Sequence, residues 1–239
     1  MGRILFITGT GTDIGKTALS LAVVLWARGR GLRAAYHKPV QCGTFAFGEP
    51  PVQGGDADWL ARMAGGAPTA HVTYALRMAA SPHLAAESEG VPLSPAVIRD
   101  DMRSLARSHD LVVCEGAGGA AVPLDRQGAT LASLAAEAGA PALIAAAPGL
   151  GTLHHTLATV AYLRSVNAPL AGFAFCSRES EVSDLAADNA VTLASLSRLP
   201  YFGLLPFHAA LAAGRPLGGE AAAWLAPLAP GLDAWWAGA

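Results

Sequence analysis

The stretch RILFITGTGTDIGKTALS, Arg3 to Ser20, restricts the possible folds more than any other part of this 239-residue chain. A short apolar run enters a glycine-rich turn, and the turn runs directly into a helical pattern. Strand, glycine loop and helix in that order form a phosphate-binding arrangement, because the loop N–H groups and the helix N-terminus face a common anion. In such a loop Lys16 reaches the β and γ phosphates and the Thr17 hydroxyl faces Mg²⁺. The spacing is unusual: five residues separate Gly9 from Gly15, where the standard loop has four.

Lysine usage sharpens the reading. Only Lys16 and Lys38 are lysines among sixteen basic residues; the other fourteen are arginines. Arginine is a planar fork and lysine a compact ammonium on a thin stem, so a tight phosphate cradle accepts one and not the other. Lys38 stands in YHKPVQCG at the expected end of a strand, where Pro39 is expected to turn the chain out of the sheet. It reads either as a solvated strand-end lysine or as a second point charge facing phosphate or carboxylate, and its rarity favours the second.

Mg²⁺ takes oxygen ligands and keeps several waters, so one hydroxyl and one or two carboxylates suffice beside phosphate oxygens. Asp56 opens DADWLARMAG and is either a helix cap or a ligand. Glu115 ends LVVCE, where a buried carboxylate needs a charged partner, and the glycines that follow at 116, 118 and 119 let a ligand approach the backbone. The expected metal set is Thr17, Asp56 and Glu115.

Apolar runs alternate with helical patterns, which predicts an α/β fold of βαβ units around a mostly parallel sheet, as one domain over residues 1–239. Strands are expected near Arg3–Thr8, Leu32–Pro39, Leu111–Glu115, Ala142–Ala147, Leu170–Phe175 and Tyr201–Leu205. Helices are expected near Gly15–Arg28, Asp56–Ala64, Pro95–Ser108, Thr130–Ala138, Thr152–Val166 and Ser183–Ser197. Gln41 to Gly55 reads as the longest loop, of a length that is usually functional or disordered.

The remaining composition excludes several classes. A net charge of −2 with 14% charged residues shows neither a basic stripe for nucleic acid nor an acidic tail. The opening residues read as a core strand rather than a signal peptide, and Phe6 breaks a myristoylation pattern. The uncharged stretch between Glu137 and Arg164 carries Pro141, Pro148, three glycines and two histidines, which fits a strand and helix better than a membrane span. Three well-separated cysteines, Cys42, Cys114 and Cys176, make neither a disulfide framework nor a zinc motif, and a cytoplasmic location is expected.

With the glycine loop, YHKPVQCG, DADWLARMAG, SPHLAAESEG, CEGAGGAAVPL and LGTLHHT in that order, the chain from Arg3 to Pro206 resembles the dethiobiotin synthetase family. The resemblance implies a doubly wound α/β fold of the phosphate-loop NTPase type, working as a homodimer that uses ATP and Mg²⁺ to close a cyclic urea. In it 7,8-diaminopelargonic acid takes up CO₂ as a carbamate, the carbamate is phosphorylated, and the second amine displaces phosphate. It implies that Lys16 and Lys38 are catalytic, and that Gly9, Thr12, Asp13, Ile14, Gly15, Lys16, Thr17, Glu115, Gly118, Cys176 and Pro206 meet the nucleotide. Thr12, Cys42, Ser81, Gly116, Ala117, Gly118, Leu150 and His154 match substrate positions, the last two in a loop that crosses the dimer. Four residues depart from the family pattern: Asp13 stands for Glu, Cys42 for Ser or Thr, His154 for Asn, and Cys176 for the Asn of adenine-reading members. The last points to a relaxed or shifted nucleotide choice. A MinD-like switch ATPase, an amidoligase and a paralogue acting on another diamine share the fold, but Thr and Gly stand where the switch ATPases carry an extra lysine, and the chain has no room for an added glutamine-hydrolysing domain.

Overall fold

The computed structural model describes residues 1–43, 55–65, 69–180 and 184–238. Among them, seven strands form one parallel sheet in the order β3-β2-β4-β1-β5-β6-β7. The strands are β1 (Arg3–Gly9), β2 (Ala34–Cys42), β3 (Thr69–Leu76), β4 (Leu111–Glu115), β5 (Ala142–Ala146), β6 (Leu170–Cys176) and β7 (Tyr201–Leu205). Helices α1 (Lys16–Gly29) and α2 (Asp56–Met63) cover one face. The other face is covered by α3 (Pro82–Glu89), α4 (Pro95–Ser108), α5 (Leu131–Glu137), α6 (Thr152–Ser165) and α7 (Ala186–Ser197). Because both faces are covered, the inner strands are buried along nearly their whole length rather than alternating. In β1, Leu5 and Ile7 belong to the core on the α1 side, whereas Ile4 and Phe6 belong to the opposite core.

Register places the chemistry. Ile7 pairs with Glu115 and His37 with Cys114, so Lys38, Glu115 and Ile7 lie in one row at the carboxyl ends of β2, β4 and β1. That is the end at which open parallel sheets bind ligands. Ile7 faces the α1 side, so Glu115 and Lys38 face it too, and His37 faces the other way.

Several expectations need correction. β3 was not expected as a strand; it lies at the edge and is only half covered, so it lacks the continuous apolar run of the inner strands. Pro39 does not turn β2 out of the sheet. β2 continues to Cys42 by pairing with β3 alone after β4 has ended, and a strand with one partner tolerates a missing N–H. Of the expected loop Gln41–Gly55, Gln41 and Cys42 are therefore strand, and residues 44–54 lie outside the described residues. The start of the expected Ser183–Ser197 helix also lies outside them; the helix runs from Ala186.

The C-terminal residues contribute more than the sequence suggests. Short helices α8 (Ala209–Ala212), α9 (Ala221–Leu225) and α10 (Ala229–Gly238) follow; α9 and α10 lie against α1 and α10 also against β7, with Leu228 and Leu232 fully buried. Trp26 donates its indole N–H to Asp233 at 3.0 Å, and Trp224 donates to the carbonyl of Pro206 at 2.8 Å. Runs of Ala, Leu, Pro and Gly offer little contrast between faces, which is why these helices are hard to read from sequence.

On the face opposite α1, a polar chain links β2, β3 and α4. His37 Nε2 lies 2.8 Å from Thr73 Oγ1, Thr73 donates to Asp101 Oδ2 at 2.7 Å, and His71 Nε2 lies 2.8 Å from the same oxygen. Burial, with the neighbouring His71, lowers the His37 pKa to about 3, against an opposing pull from Asp101. A base depressed in the folded state binds its proton more readily when unfolded, so stability is lost as pH falls from 6.5 towards 3. We expect His37→Gln to flatten that decline by up to about 1.4 kcal/mol per pH unit, measured by urea unfolding across pH 4–6.5; an unchanged slope would mean that His37 is not held neutral.

Candidate active site

The glycine loop is shaped by left-handed residues. Asp13 has φ 54° and Gly15 has φ 94°. A Cβ on Gly15 would stand 2.5 Å from Cys176 Cβ, so only glycine fits against the end of β6. This curl turns successive N–H groups inward as an anion nest and leads into α1. Lys16 Nζ donates to the carbonyl of Gly11 at 2.7 Å, bracing the loop from within. Burial lowers the Lys16 pKa; Glu115 opposes this and the like charge of Lys38 adds to it.

Behind the loop lies a buried carboxylate with four donors. Glu115 is fully buried. Its Oε1 accepts from Thr17 Oγ1 at 3.0 Å and Lys38 Nζ at 2.7 Å, and its Oε2 accepts from Ser20 Oγ at 2.7 Å and Tyr36 OH at 3.0 Å. Lys38 also lies 2.6 Å from Asp56 Oδ2. Burial alone would depress the Lys38 pKa, but Glu115 and Asp56 outweigh it and raise the value to about 12. Lys38 is thus a buried, permanently charged ammonium and not a solvated strand end. Asp56 is not the cap of α2, a place taken by Gly55; it occupies the first helical position and turns its carboxylate to Lys38.

These groups open into a cleft of about 990 Å³. Of the residues expected from the sequence, Thr12, Asp13, Ile14, Gly15, Lys16, Thr17, Lys38, Cys42, Asp56, Ser81, Glu115, Ala117, Gly118, Cys176 and Pro206 all line it. Gly9 and Gly116 lie beneath its floor: a Cβ on Gly9 would meet Ile14 at 2.6 Å, and the Gly116 N–H donates to the carbonyl of Ile7. Leu150 and His154 do not line the cleft; they stand exposed where β5 leads into α6, Leu150 with 96% of its surface accessible. Burial raises the Cys42 thiol to about 11, so it is a neutral, weak donor there.

Sequence reasoning missed Ser20, Tyr36, Arg178, His208 and Trp224. Two of these left a signal. Tyr36 is two residues from Lys38 on a strand, hence on the same face, and Ser20 is one helical turn beyond Lys16 and Thr17. Arg178, His208 and Trp224 line the end of the cleft formed by the β6 and β7 carboxyl ends and the C-terminal helices, where no local pattern marks them.

The chain is 39% identical over 224 residues to the ATP-dependent dethiobiotin synthetase BioD of Anaeromyxobacter dehalogenans, covering 92% of this chain and 98% of that one. It is 36% identical to the protein of the same name from Streptomyces coelicolor, over 98% of this chain and 94% of the other. The chain belongs to the dethiobiotin synthetase family. A family model described as "AAA domain" also matches residues 3–215. Among solved structures, the cell division ATPase MinD of Pyrococcus furiosus is similar with a TM-score of 0.59 at 17% identity, covering 98% of this chain and 99% of that one. At that identity the likeness concerns the fold alone: an α/β sheet of the phosphate-loop NTPase class. Within the dethiobiotin synthetase family, this member therefore places both of its lysines on one cleft.

Removing one partner from a buried ion pair costs about 3–5 kcal/mol, because the other charge is left unmatched. Glu115→Gln is expected to destabilise the protein by that order, and adding Lys38→Met to recover part of the loss. A urea-denaturation double-mutant cycle tests this; additive effects would show that the two groups do not depend on each other.

Proposed function

We propose that this protein is an ATP-dependent dethiobiotin synthetase, folded as one domain over residues 1–239, that closes the ureido ring of its product from a diamine, CO₂ and a nucleotide. The observation that carries the reading is the convergence of Lys16 and Lys38 on one cleft beside a glycine loop. One amine of 7,8-diaminopelargonic acid adds to CO₂ and gives a carbamate, losing a proton. A carbamate oxygen then attacks the γ-phosphorus, and the bond to the nucleoside diphosphate breaks. The second amine attacks the carbonyl of the resulting mixed anhydride, and inorganic phosphate leaves as the ring closes.

The chain's own part is positioning and charge neutralisation, since phosphoryl transfer requires little covalent chemistry from a protein. The nest of Asp13 to Thr17 would hold the phosphates, with Lys16 leaving the Gly11 carbonyl for the β and γ oxygens. Lys38 is held by two carboxylates, and a triphosphate end or a carbamate offers it a competing anion. Cys42, Ser81 and the backbone of Ala117 and Gly118 form the wall on which the diamine would lie. The exposure of Leu150 and His154 supports a homodimer in which this loop meets the substrate carboxylate of the partner subunit, with His154 as donor.

Mg²⁺ fits the oxygen donors. Thr17 Oγ1 and Glu115 Oε1 are 3.0 Å apart, which matches the edge of an octahedron with bonds of about 2.1 Å. Asp56 and Glu115 already flank a positive charge, that of Lys38. Thr17, Asp56 and Glu115 would hold the ion, which when bound supplies neutralisation of the phosphate oxygens. No helix among the described residues is long and apolar enough to cross a membrane, and the nucleotide and bicarbonate supply of the cytoplasm suits the reaction.

Phosphate release is expected to require both diaminopelargonate and bicarbonate, with a cyclic urea identified by mass; release independent of the diamine would reject the reading. Lys38→Arg is expected to lower turnover about 10²-fold or more, as for loss of a placed charge at a transferring group. Near-normal turnover of a folded Lys38→Arg protein would return Lys38 to a structural role. Because a Cys176 thiol replaces an amide at the base, turnover with CTP, GTP or UTP is expected to approach that with ATP; strict ATP preference would refute a relaxed choice.

A further inference from the structure

The face of β2 turned away from the cleft carries a second cluster with its own chemistry. His37 pairs in register with His71 across the parallel β2–β3 ladder, and the two imidazoles stand side by side with centroids 5.4 Å apart. Asp101 reaches them from α4. One donor atom from each of the three lies within 4.8 Å of the others. We propose that His37, His71 and Asp101 bind a late first-row divalent cation, with Zn²⁺ the best match, leaving a fourth position open to water. The proposal is independent of the function assigned to the cleft.

The donor set selects the ion class. Two imidazoles and one carboxylate suit Zn²⁺ and its neighbours, whereas Mg²⁺ and Ca²⁺ demand oxygen donors. The geometry needs modest closure. Bonds of about 2.0–2.1 Å in a tetrahedron set donor separations of roughly 3.3 Å. His71 and Asp101 are already 2.8 Å apart, so the main adjustment is towards His37. His37 is fully buried, while the side chains of His71 and Asp101 are 39% and 30% exposed, so the closing shift falls to them.

The protonation states are compatible with ligation. Depression of the His37 pKa keeps that ring neutral at ordinary pH. Partial burial tends to raise the Asp101 pKa, but hydrogen bonds from His71 and Thr73 outweigh it and keep the carboxylate ionised. Thr73 gives its proton to Asp101, so His37 Nε2 is the donor in the His37–Thr73 bond. On ligation at Nε2 the His37 proton moves to Nδ1, where Cys114 Sγ lies 3.8 Å away as an acceptor. The bound cation would then fasten the edge strand β3 and α4 to β2, the strand whose other face carries Lys38.

The test is calorimetric titration of ZnCl₂ into full-length protein cleared of metal by chelator, in excess MgCl₂ so that oxygen-donor sites are occupied. We expect one site with a Kd below about 10 µM, and a thermal midpoint raised by about 5–10 °C at a free Zn²⁺ concentration 100-fold above Kd. His71→Ala and Asp101→Asn, each checked for native circular dichroism, should weaken binding at least about 10-fold, while Cys42→Ser should not. Co²⁺ in place of Zn²⁺ should show visible d–d bands without a thiolate charge-transfer band. Absence of stoichiometric binding, or equal binding by His71→Ala and Asp101→Asn, would overturn the site and leave the cluster a hydrogen-bond network.

Discussion

The buried carboxylate of Glu115 is the interaction on which the site depends. A charge taken fully out of water costs several kcal/mol unless its lone pairs are met and a counter-charge stands close. Glu115 meets both conditions, through Thr17 and Ser20 from α1 and Tyr36 and Lys38 from β2. It thereby fixes the start of the helix behind the glycine loop and the strand beside it relative to one another. An apolar residue at 115 would remove the cost of burial but leave Lys38 with Asp56 alone. That arrangement would be less ordered, because Asp56 sits on a partly exposed helix end.

The same carboxylate explains why one of two lysines was retained in a chain that otherwise uses arginine. The space around Lys38 Nζ is bounded by Glu115 Oε1 at 2.7 Å, Asp56 Oδ2 at 2.6 Å and the Gly116 carbonyl at 3.3 Å. Three acceptors around one point match the three donors of an ammonium. A guanidinium would spread its charge over a plane and need more width than this buried slot provides. Lys16, closed onto the Gly11 carbonyl, meets the same kind of restriction within the loop.

How much was legible in the sequence follows from the range over which each signal acts. The loop from Gly9 to Thr17, the strand ending in Glu115 and the rarity of lysine are local or compositional signals, and they located the cleft. The long-range features were less visible. Pro39 read as a terminator because proline breaks ladders, yet it falls where β2 has lost one of its two neighbours, a fact of topology. β3 was missed because an edge strand needs only partial apolar cover, and the C-terminal helices because their composition hardly distinguishes inner from outer faces. Asp56 reads as cap or ligand from sequence; Gly55 takes the cap position, and the tertiary contact of Asp56 with Lys38 has no local signal.

Strand β2 shows how a period of two divides labour within nine residues. Tyr36 and Lys38 point to Glu115 on the α1 side and His37 points away, so neighbouring residues serve different environments without sharing a contact. The end of β6 has the opposite arrangement, in which one residue serves two purposes. Cys176 packs against Gly15 so closely that no Cβ fits between them, and it also borders the far end of the cleft. Burial holds its thiol neutral, with a pKa raised to about 12 against the pull of Lys16. A neutral thiol donates and accepts only weakly. Pro206, Arg178, His208 and Trp224 line the same end of the cleft, Trp224 coming from the C-terminal helices. One side chain thus divides its work by atom: the Cβ of Cys176 closes on Gly15 and secures the phosphate loop, while its thiol borders the cleft.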